Sequence, residues 1–332
     1  MSILVTGGAG FIGANFVHSW LGVSNEPVVN LDTLTYAGAL ENLHALEHDS
    51  RHCFVRGDIA DSECVRSILV EHSPRAVIHF AAETHVDRSI TDPEAFVQTN
   101  VVGTARLLEE CRRYWDGLED RAGSAFRFVH VSTDEVYGSL GEGDAGFDEL
   151  SKYEPNSPYS ASKAAADHFV RAYFQTYGLP ALITNCSNNY GPMQHEEKLI
   201  PLMITRAIAG LDLPVYGDGQ QSRDWLFVDD HNAAIRAVLR DGVVGKVYNI
   251  GGDEERVNLE VVEMICRMLD EKKPRLDGES YRLQIRFVED RLGHDRRYAV
   301  DARKIQAELG WAPSTQFERG MERTVDWYLD KV

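Results

Sequence analysis

Two acidic residues follow directly on an apolar run in the middle of the chain. Residues 126–132 read FRFVHVS, which is typical of a buried strand, and Thr133, Asp134 and Glu135 come next. Two adjacent carboxyls can serve as a general acid and a general base if their environments separate their pKa values. Because the strand ends here, its side chains need no longer alternate between two faces, and both acids can face one cleft. The plainer interpretation is that one acid caps the next turn.

A tyrosine and a lysine form a second reactive pair in the stretch SPYSASKAAA, residues 157–166. Tyr159 and Lys163 are four residues apart, so they share one face of a helix, and Pro158 suits the first helical position. An ammonium group near a phenol lowers the pKa of the phenol and makes it a usable base near neutral pH. This spacing is common on helix surfaces, and it gains weight here from the other motifs of the chain.

A glycine-rich loop, TGGAGFIG, joins the first predicted strand to the first predicted helix. Its glycines fit two spacings, Gly8-x-Gly10-x-x-Gly13 and Gly7-x-x-Gly10-x-x-Gly13. Either one provides a tight turn and lets the backbone approach a pyrophosphate at a helix N-terminus. Glycines also serve ordinary turns, but the strand–turn–helix context favours a dinucleotide-binding loop.

The ends of the next strands fit the same ligand. Asp32 ends the second strand, where an acid can accept hydrogen bonds from a ribose diol and repel a 2′-phosphate. No arginine follows in TLTYAG, so NAD is favoured over NADP. Asp58 and Ile59 lie where an adenine would bind, and the small Ala81 and Ala82 allow a cofactor to lie against the backbone of the fourth strand.

Short apolar runs alternate with helical patterns in the first half of the chain. Strands are predicted at 3–7, 28–32, 52–58, 76–81, 126–132, 182–186 and 247–251, and helices at 11–20, 38–48, 62–72, 93–115 and 158–177. Alternation of this kind predicts a Rossmann-type, doubly wound α/β fold with a parallel sheet between two layers of helices.

The pattern loosens after about residue 190. Short helices are predicted near 199–209, 229–240, 258–271, 301–309 and 317–329, among polar loops. We interpret residues 1–190 as an NAD-binding domain that also carries the reactive residues. Residues 191–332 form mainly a smaller, mixed α/β substrate-binding lobe, and we expect further crossings of the chain over this soft boundary.

The composition and net charge of the chain argue against several classes of function. The 332 residues carry a net charge of −18, from 34 basic and 52 acidic side chains, and such a surface repels nucleic acid and anionic membranes. No apolar run approaches the ~20 residues that a membrane helix needs, and no signal-peptide pattern is present, so a cytoplasmic protein is expected. The five cysteines and twelve histidines show no metal-ligand spacing, which predicts reduced thiols and no metal site.

These motifs together resemble the extended short-chain dehydrogenase/reductase family, which acts on nucleotide sugars. The resemblance rests on TGGAGFIG, Asp32, the strand end at Ser132 and Thr133, and YSASK. Within the family, STDEVYG, CSNNYGP, EKLIP, RDWLFVDDH, YNIGG and RLGHDRRY are similar to the branch that dehydrates dTDP-glucose. That branch oxidises the sugar at C4, removes water across C5 and C6, and reduces C6, so that a tightly bound NAD is recycled.

The resemblance implies a role for each reactive residue. Glu135 would be the base at C5 and Asp134 the acid at O6. Tyr159 would take the proton of the C4 hydroxyl while a hydride passes to NAD⁺. Lys163 would bind the nicotinamide ribose and lower the pKa of Tyr159, and Thr133 would hydrogen-bond the sugar near O4.

The resemblance also implies two sets of binding residues. Cofactor contacts are expected at Gly7, Gly10, Phe11, Ile12, Gly13, Asp32, Thr33, Leu34, Thr35, Asp58, Ile59, Ala81, Ala82, Thr99, Ser132, Tyr159, Lys163 and Asn189. Contacts to dTDP-glucose are expected at Thr84, Thr133, Asn188, Lys198, Leu199, Pro214, Tyr216, Arg223, Asn258, Arg291, His294 and Tyr298. A homodimer is also implied, in which helices 93–115 and 158–177 pair across a two-fold axis as a four-helix bundle.

Two departures from the family pattern and several alternatives remain. The family usually has proline where this chain has Leu292, so the loop there is expected to be less rigid. The segment between Gly138 and Pro158 is short, which is expected to alter the rim of the sugar pocket without changing the chemistry. A dehydratase for another nucleotide sugar, an epimerase and a decarboxylase share the cofactor motifs. A non-catalytic NAD sensor would be expected to lack Tyr159 or Lys163.

Overall fold

Twelve strands are present in the residues that the computed structural model describes, 1–119 and 125–331. In chain order they are β1 (Ile3–Thr6), β2 (Val28–Asp32), β3 (His52–Arg56), β4 (Ala76–His79), β5 (Arg127–Thr133), β6 (Ala181–Cys186), β7 (Asn188–Tyr190), β8 (Leu213–Tyr216), β9 (Ser222–Phe227), β10 (Val247–Ile250), β11 (Glu255–Val257) and β12 (Ile285–Val288). The seven strands predicted from the sequence form one parallel sheet, in the order β10-β6-β5-β4-β1-β2-β3. The prediction of a doubly wound α/β fold is therefore confirmed.

Helices cover both faces of this sheet. The α-helices are Phe11–Val23, Ser62–His72, Val86–Thr91, Pro93–Phe96, Thr104–Asp116, Pro158–Tyr177, Leu199–Ile208, Val228–Asp241, Asn258–Lys272, Arg303–Leu309 and Phe317–Leu329; 3-10 helices span Leu40–Leu46, Asp134–Tyr137 and Tyr281–Gln284, and a π-helix spans Val97–Gly103. The single helix predicted at 93–115 is wrong in detail, because a π-helix separates two α-helical segments. In the described part of the chain, no helix is long and apolar enough to cross a membrane.

Strand side chains alternate between two apolar layers. On β1, Val5 packs in a cluster with Phe16 and Ile235, whereas its neighbour Leu4 packs on the opposite face with Val65 and Leu107. Both faces of the sheet are thus buried, which explains why its strands are almost continuously apolar.

A cleft opens where the strand order reverses, between β1 and β4. Strands β2 and β3 lie on one side of β1, and β4, β5, β6 and β10 lie on the other. The connections therefore leave in opposite directions at this point, and ligands of open α/β sheets bind there, beyond the carboxyl ends of the strands. The glycine-rich loop and the end of β5 both open onto this cleft.

The second half of the chain builds a smaller lobe but also returns to the large sheet. Two small sheets, β11-β9-β7 and β12-β8, pack with the helices Leu199–Ile208, Asn258–Lys272 and Phe317–Leu329 around a separate apolar cluster. In contrast, β10 pairs with β6, and helix Val228–Asp241 packs against β5, β6 and β10. Elements that follow residue 190 therefore complete the sheet that carries the reactive residues.

Candidate active site

A cavity of about 380 Å³ lies over the carboxyl ends of the central strands. Its lining includes the five predicted catalytic residues and every predicted cofactor residue except Leu34. Four predicted substrate residues also line it, namely Thr84, Thr133, Asn188 and Lys198. The remaining eight lie outside its lining: Leu199, Pro214, Tyr216, Arg223, Asn258, Arg291, His294 and Tyr298. One cavity thus joins the predicted cofactor and reaction sites.

The glycine loop closes tightly on the sheet. Gly7 has a φ of +74°, and a Cβ there would lie 2.6 Å from the backbone nitrogen of Ala81 on the neighbouring strand end. A Cβ on Gly13 would lie 2.3 Å from the carbonyl oxygen of Gly7. Gly7, Gly10 and Gly13 line the cavity, so the structure favours the second of the two glycine spacings. The loop leaves room for a pyrophosphate beside the N-terminus of helix Phe11–Val23.

Asp32 lies at the end of β2 with its carboxylate already oriented. One oxygen accepts a hydrogen bond from the Ala9 amide at 2.9 Å, and the other accepts one from the Leu34 amide at 2.8 Å. Leu34, with a φ of +58°, lies outside the cavity lining and acts through this amide, which holds Asp32. The two bonds fix the acid at the cavity wall, where its remaining lone pairs suit a ribose diol.

The two acids begin a 3-10 helix directly after β5. Thr133, the last residue of β5, caps this helix, and its hydroxyl oxygen accepts a hydrogen bond from the Glu135 amide at 3.3 Å. The cap is therefore Thr133 rather than either acid, which excludes the plainer interpretation of the sequence. Asp134 is 1% exposed, and its Oδ1 accepts a hydrogen bond from the Thr133 hydroxyl at 3.3 Å. Both carboxyls face the cavity.

The two carboxyls differ in their electrostatic environments. Burial raises the pKa of Asp134 well above its usual value, and the negative charge of Glu135 raises it further. Burial also raises the pKa of Glu135, but the positive charges of Arg291, Lys198 and Arg223 oppose that shift. A protonated Asp134 beside an ionised Glu135 is the arrangement that paired acid and base chemistry requires.

Tyr159 and Lys163 lie on the first two turns of helix Pro158–Tyr177. Ser157 caps this helix in a capping box, and Pro158 occupies the first turn as predicted. Lys163 is buried, and its Nζ donates a hydrogen bond to the carbonyl of Val131 on β5 at 2.9 Å. The helix therefore presents both side chains to the same cavity as the acid pair.

The predicted lowering of the Tyr159 pKa is wrong in direction. Burial of the ring raises the pKa of Tyr159 well above its usual value, and the carboxylate of Glu135 raises it further. A hydrogen bond with Thr133 opposes these effects without overcoming them. The phenol is thus held protonated, and removal of its proton needs additional positive charge in the cavity.

Arg223 lies deep between the acid pair and the smaller lobe. Its guanidinium donates hydrogen bonds to the carbonyl oxygens of Ser222, at 2.8 Å, and Asp295, at 2.9 Å. It also stacks 4.4 Å from the centre of the Tyr298 ring, whose hydroxyl donates to the Asp295 carboxylate. These contacts fix a buried positive charge that acts on both Asp134 and Glu135.

Two other predicted nucleotide contacts, Arg291 and His294, lie on one loop of the smaller lobe. Arg291 pairs with Asp87 at 3.8 Å, and His294 pairs with Asp290 at 2.6 Å. Leu292, between them, is 77% exposed. Arg291 is thus held by an ion pair and His294 by a side-chain hydrogen bond, in contrast to the backbone contacts of the cofactor loop.

The other predicted binding residues differ in whether their side chains already have hydrogen-bond partners within the protein. The Oδ1 atoms of Asn188 and Asn258 are buried without a hydrogen-bond partner, as expected for groups that await a ligand. Tyr216 is partly exposed on β8, next to Pro214. The side chain of Asn189 accepts a hydrogen bond from His231 at 2.8 Å and donates to the carbonyl of Ser187 at 2.9 Å, so its amide is already oriented.

Several residues of the cavity were not predicted from the sequence. Glu197 lies within 3.7 Å of nitrogen atoms of His85, Arg88 and His195. The next residue, Lys198, donates a hydrogen bond to the carbonyl of Thr84 at 2.8 Å. These contacts tie the segment after β7 to the segment after β4 across the cavity. Glu197 stands in the EKLIP stretch, which was the available signal for it.

Comparisons with known proteins agree with this geometry. Residues 4–324 match the family model described as GDP-mannose 4,6 dehydratase. The chain is 61% identical over 326 residues to the dTDP-glucose 4,6-dehydratase of Xanthomonas campestris pv. campestris strain B100, an alignment that covers 98% of this chain and 92% of that protein. It is 54% identical to the Escherichia coli enzyme of the same name, with 99% of this chain and 94% of that protein covered.

A solved structure extends the likeness to the fold. The crystal structure of dTDP-glucose 4,6-dehydratase from Streptomyces venezuelae, with NAD and dTDP bound, superposes with a TM-score of 0.90. The two chains are 45% identical, and the match covers 99% of this chain and 97% of that one. The chain belongs to the family of the dTDP-glucose 4,6-dehydratases. Family membership, cavity and acid pair therefore point to the same chemistry.

Proposed function

We propose that this chain converts dTDP-glucose into dTDP-4-keto-6-deoxyglucose. The reaction comprises oxidation at C4, loss of water across C5 and C6, and reduction at C6, and its product is a precursor of deoxysugars. The observation that carries this function is the acid pair Asp134 and Glu135, which lies at the end of β5 in one cavity with Tyr159 and Lys163. The relatives of the same name, matched over nearly the whole chain, support it.

NAD fits the residues that line the cofactor half of the cavity. The tight glycine turn provides space for a pyrophosphate, and the fixed carboxylate of Asp32 suits a ribose diol and disfavours a 2′-phosphate. Ser132, next to the end of β5, lines the same cavity. When bound, NAD⁺ supplies the hydride acceptor for C4, the donor for C6, and a positive charge in the cavity.

The chain's own groups move the protons. We assign to Tyr159 the removal of the C4 hydroxyl proton, to Glu135 the removal of the C5 proton, and to Asp134 the protonation of the C6 hydroxyl as it leaves. The keto group formed at C4 makes the C5 proton acidic. The raised pKa of Asp134 supports its role as the acid, and the three cations near Glu135 support its role as the base. Thr133 would hold the sugar near O4.

An anionic nucleotide sugar needs local positive charge in a protein of net charge −18. Arg223, Arg291 and Lys198 provide such a region, since all three act on Glu135. We assign the diphosphate to the two arginines, because guanidinium groups bind phosphate oxygens in pairs. The nucleoside would lie against Tyr216 and His294, whose rings are 6.2 Å apart.

A second candidate function is that of another nucleotide-sugar enzyme on the same scaffold. An epimerase or a decarboxylase shares the glycine loop and the Tyr–Lys pair. Neither needs both an acid and a base for loss of water, so a buried acid beside a second carboxyl favours dehydration. The base of the nucleotide is decided by loop contacts around Tyr216, and the relatives named for dTDP-glucose favour thymine.

One assay separates these functions. The NAD-loaded protein is incubated with dTDP-, UDP-, CDP- and GDP-sugars, and the products are analysed by mass spectrometry. Loss of one water from dTDP-glucose alone supports the proposal, whereas an isomer of unchanged mass indicates an epimerase. Deuterium placed at C4 should reappear at C6. Its appearance in solvent would contradict the closed cycle of oxidation and reduction.

We infer that the protein forms a homodimer through the helices around Thr104–Asp116 and Pro158–Tyr177. Phe169 is 41% exposed on the second of these helices, beside a groove that is also lined by Val101, Val102 and Ala105. An exposed apolar face of this kind is suited to an isologous contact between two copies. Light scattering should give twice the chain mass, and Phe169→Glu should give monomers.

We also infer a cytoplasmic location. All five cysteines are free thiols, as expected in a reducing compartment. Fractionation of the cells that produce the protein tests this inference, and recovery with a periplasmic marker would contradict it.

A further inference from the structure

A buried carboxylate, Asp167, lies one helical turn beyond Lys163. The two residues share a face of helix Pro158–Tyr177 and are 2% and 4% exposed. Oδ2 of Asp167 accepts a hydrogen bond from the Tyr153 hydroxyl at 2.9 Å, and Oδ1 lies 3.2 Å from Nε2 of His130 on β5. Asp167 does not line the cavity, so it is positioned to act through Lys163 rather than on a ligand.

The carboxylate is held from two sides by fixed partners. The hydroxyl of Tyr153 also accepts a hydrogen bond from Nδ2 of Asn185 on β6 at 3.1 Å, which orients it toward Asp167. His130 is completely buried, and burial and the charge of Lys163 keep its pKa well below the usual value. A neutral His130 leaves Lys163 as the cation that Asp167 faces.

An ammonium as deeply buried as that of Lys163 needs a negative partner. Its Nζ donates a hydrogen bond to the carbonyl of Val131, which is a neutral acceptor. Burial of an unpaired charge costs several kcal/mol, and the group then tends to lose its proton instead. The negative charge of Asp167 opposes this loss, since it raises the pKa of Lys163 against the effect of burial.

We propose that Asp167 is a positioning residue whose carboxylate keeps the buried ammonium of Lys163 charged and in place beside Tyr159. The inference rests on the proposed function for its catalytic meaning, because Lys163 serves the C4 oxidation there. The charge on Lys163 is nevertheless measurable without any sugar. Failure of this proposal is therefore distinguishable from failure of the proposed function.

The groups that face this pair come from several elements. Asp167 is surrounded by Lys163 and His168 of its own helix, Ser132 and His130 of β5, and Tyr153 of the preceding loop, while Lys163 also acts on Cys186 of β6 and His79 of β4. Burial is the largest effect on Asp167 and raises its pKa to about 6. The carboxylate is therefore ionised above about pH 6 and neutral below it.

The direct test measures the protonation of Lys163. The NAD-loaded wild type and Asp167→Asn are prepared with carbon-13 at the lysine ε position, and the Lys163 resonance is identified by its loss in Lys163→Met. We expect the midpoint of its titration to fall by about one to three pH units in Asp167→Asn, as loss of an adjacent opposite charge predicts. An unchanged midpoint in folded Asp167→Asn overturns the proposal.

A pH profile supplies a readout that a purely structural role would not change. In the wild type, Asp167 keeps Lys163 charged at pH 8, so loss of the Lys163 proton should not limit kcat there. In Asp167→Asn, kcat at pH 8 should be at least about ten-fold below wild type and should recover as the pH is lowered, because protonation of Lys163 restores its charge. A uniform reduction at every pH would indicate a structural effect and overturn the proposal.

A milder pair of variants keeps the test informative if Asp167→Asn does not fold. Tyr153→Phe removes a hydrogen bond that holds the carboxylate of Asp167 in place, so the titration midpoint of Lys163 should fall, but by less than in Asp167→Asn. Tyr137→Phe is the matched control, since its ring lies 5.2 Å from that of Tyr153 but its hydroxyl donates to Asn249. Equal titration midpoints for the two variants would refute the role of Asp167.

Discussion

Two regions around the reaction site, called here the cofactor wall and the nucleotide wall, are built from different kinds of contact. The cofactor wall consists of the glycine loop and the carboxyl ends of β1, β2, β4 and β5, and its key positions are fixed by backbone groups of a buried sheet. The nucleotide wall consists of residues of the smaller lobe outside the cavity lining, where Arg291 forms an ion pair with Asp87 and His294 forms a hydrogen bond with Asp290. The backbone of the large sheet therefore fixes the cofactor wall. On the nucleotide wall, polar side chains are paired with one another, and a bound substrate can replace these partners.

This difference teaches which contacts are preorganised. A cofactor that is regenerated in every cycle gains from a rigid site that need not open. A substrate binds and dissociates in every cycle, so the charged groups of its site need other partners while the site is empty. An unpaired buried guanidinium would lower the stability of the protein. Arg223 is the exception on the nucleotide wall, because backbone carbonyls and the Tyr298 ring fix it.

The largest effect is expected at the reactive end of the cofactor wall. Asp134→Asn removes the proposed acid, so elimination should slow by about 10²- to 10⁴-fold, while oxidation at C4 should stay within about ten-fold of wild type. Rapid mixing with dTDP-glucose, followed by the absorbance of reduced nicotinamide, separates the two steps. Asp241→Asn, at the exposed end of a helix, is the control. Equal loss of both steps would contradict the assignment of Asp134.

A second pair of variants tests the rigidity of the same wall. In Gly13→Ala the new Cβ would lie 2.3 Å from the carbonyl oxygen of Gly7, and such overpacking costs about 1–3 kcal/mol. Gly22→Ala lies on the same helix with no atom within 4 Å of the new Cβ, and it should stabilise the protein by about 0.4–1 kcal/mol. Chemical denaturation and NAD titration measure both. An unchanged affinity of Gly13→Ala for NAD would contradict the rigidity of the cofactor wall.

A smaller effect is expected on the nucleotide wall. Arg291→Met should raise the KM for dTDP-glucose by about ten- to hundred-fold, since a diphosphate contact is lost, and should lower kcat by a smaller factor, since Arg291 also lowers the pKa of Glu135. Arg286→Met is the control, because Arg286 pairs with Asp212 at 3.5 Å away from the cavity. A fall of kcat at constant KM would place Arg291 in the chemical step instead.

The smallest effect concerns stability and pH. Since the pKa of Asp134 is raised in the folded protein, its ionisation destabilises the fold increasingly as the pH rises above about 3.9, the value of an unfolded chain. Asp134→Asn should therefore raise Tm at pH 8 more than at pH 5. Asp49 is the opposite case, because Arg51 lowers its pKa to about 2, so Asp49→Asn should lower Tm at pH 8 and less at pH 3. Scanning calorimetry of the substrate-free proteins measures both.

The sequence predicts the large sheet well and the smaller lobe poorly. The seven central strands are apolar runs of four to seven residues between helical patterns, and burial on both faces makes each run continuous. The strands β7, β8, β9, β11 and β12 were missed, because they are not buried on both faces as continuous apolar runs and their pairing depends on distant segments. For example, β8 pairs with β12, which follows it by about seventy residues.

The irregular helical segment Val97–Gly103 could not be predicted from the sequence either. The π-helix Val97–Gly103 lies within a strongly helical pattern, and nothing local in the sequence marks it. It contains Asn100, whose amide donates to the Glu83 carbonyl at 3.0 Å and to the Ser162 hydroxyl at 2.8 Å. These partners come from two other parts of the chain, so only the tertiary structure explains the local geometry.

The residues of the candidate site likewise fall into those that the sequence predicts and those that only the tertiary structure shows. The residues of the cofactor wall can be predicted from the glycine loop and from the ends of the predicted strands, because the carboxyl ends of parallel strands meet at one edge of the sheet. The orientation of Arg223 toward the acids, the ties of Glu197 and the burial of Asp167 depend on packing between elements that the sequence does not relate. The raised pKa of Tyr159 is likewise a property of burial.

The position of β10 has a consequence for protein engineering. This strand comes from beyond residue 190 but pairs with β6 in the large sheet, and helix Val228–Asp241 packs on the same strands. A simple cut after residue 190 would remove both and leave an unpaired strand edge, which invites aggregation. Chimeras that exchange substrate preference between relatives must therefore transplant separate loops and keep residues 228–250 with the host sheet.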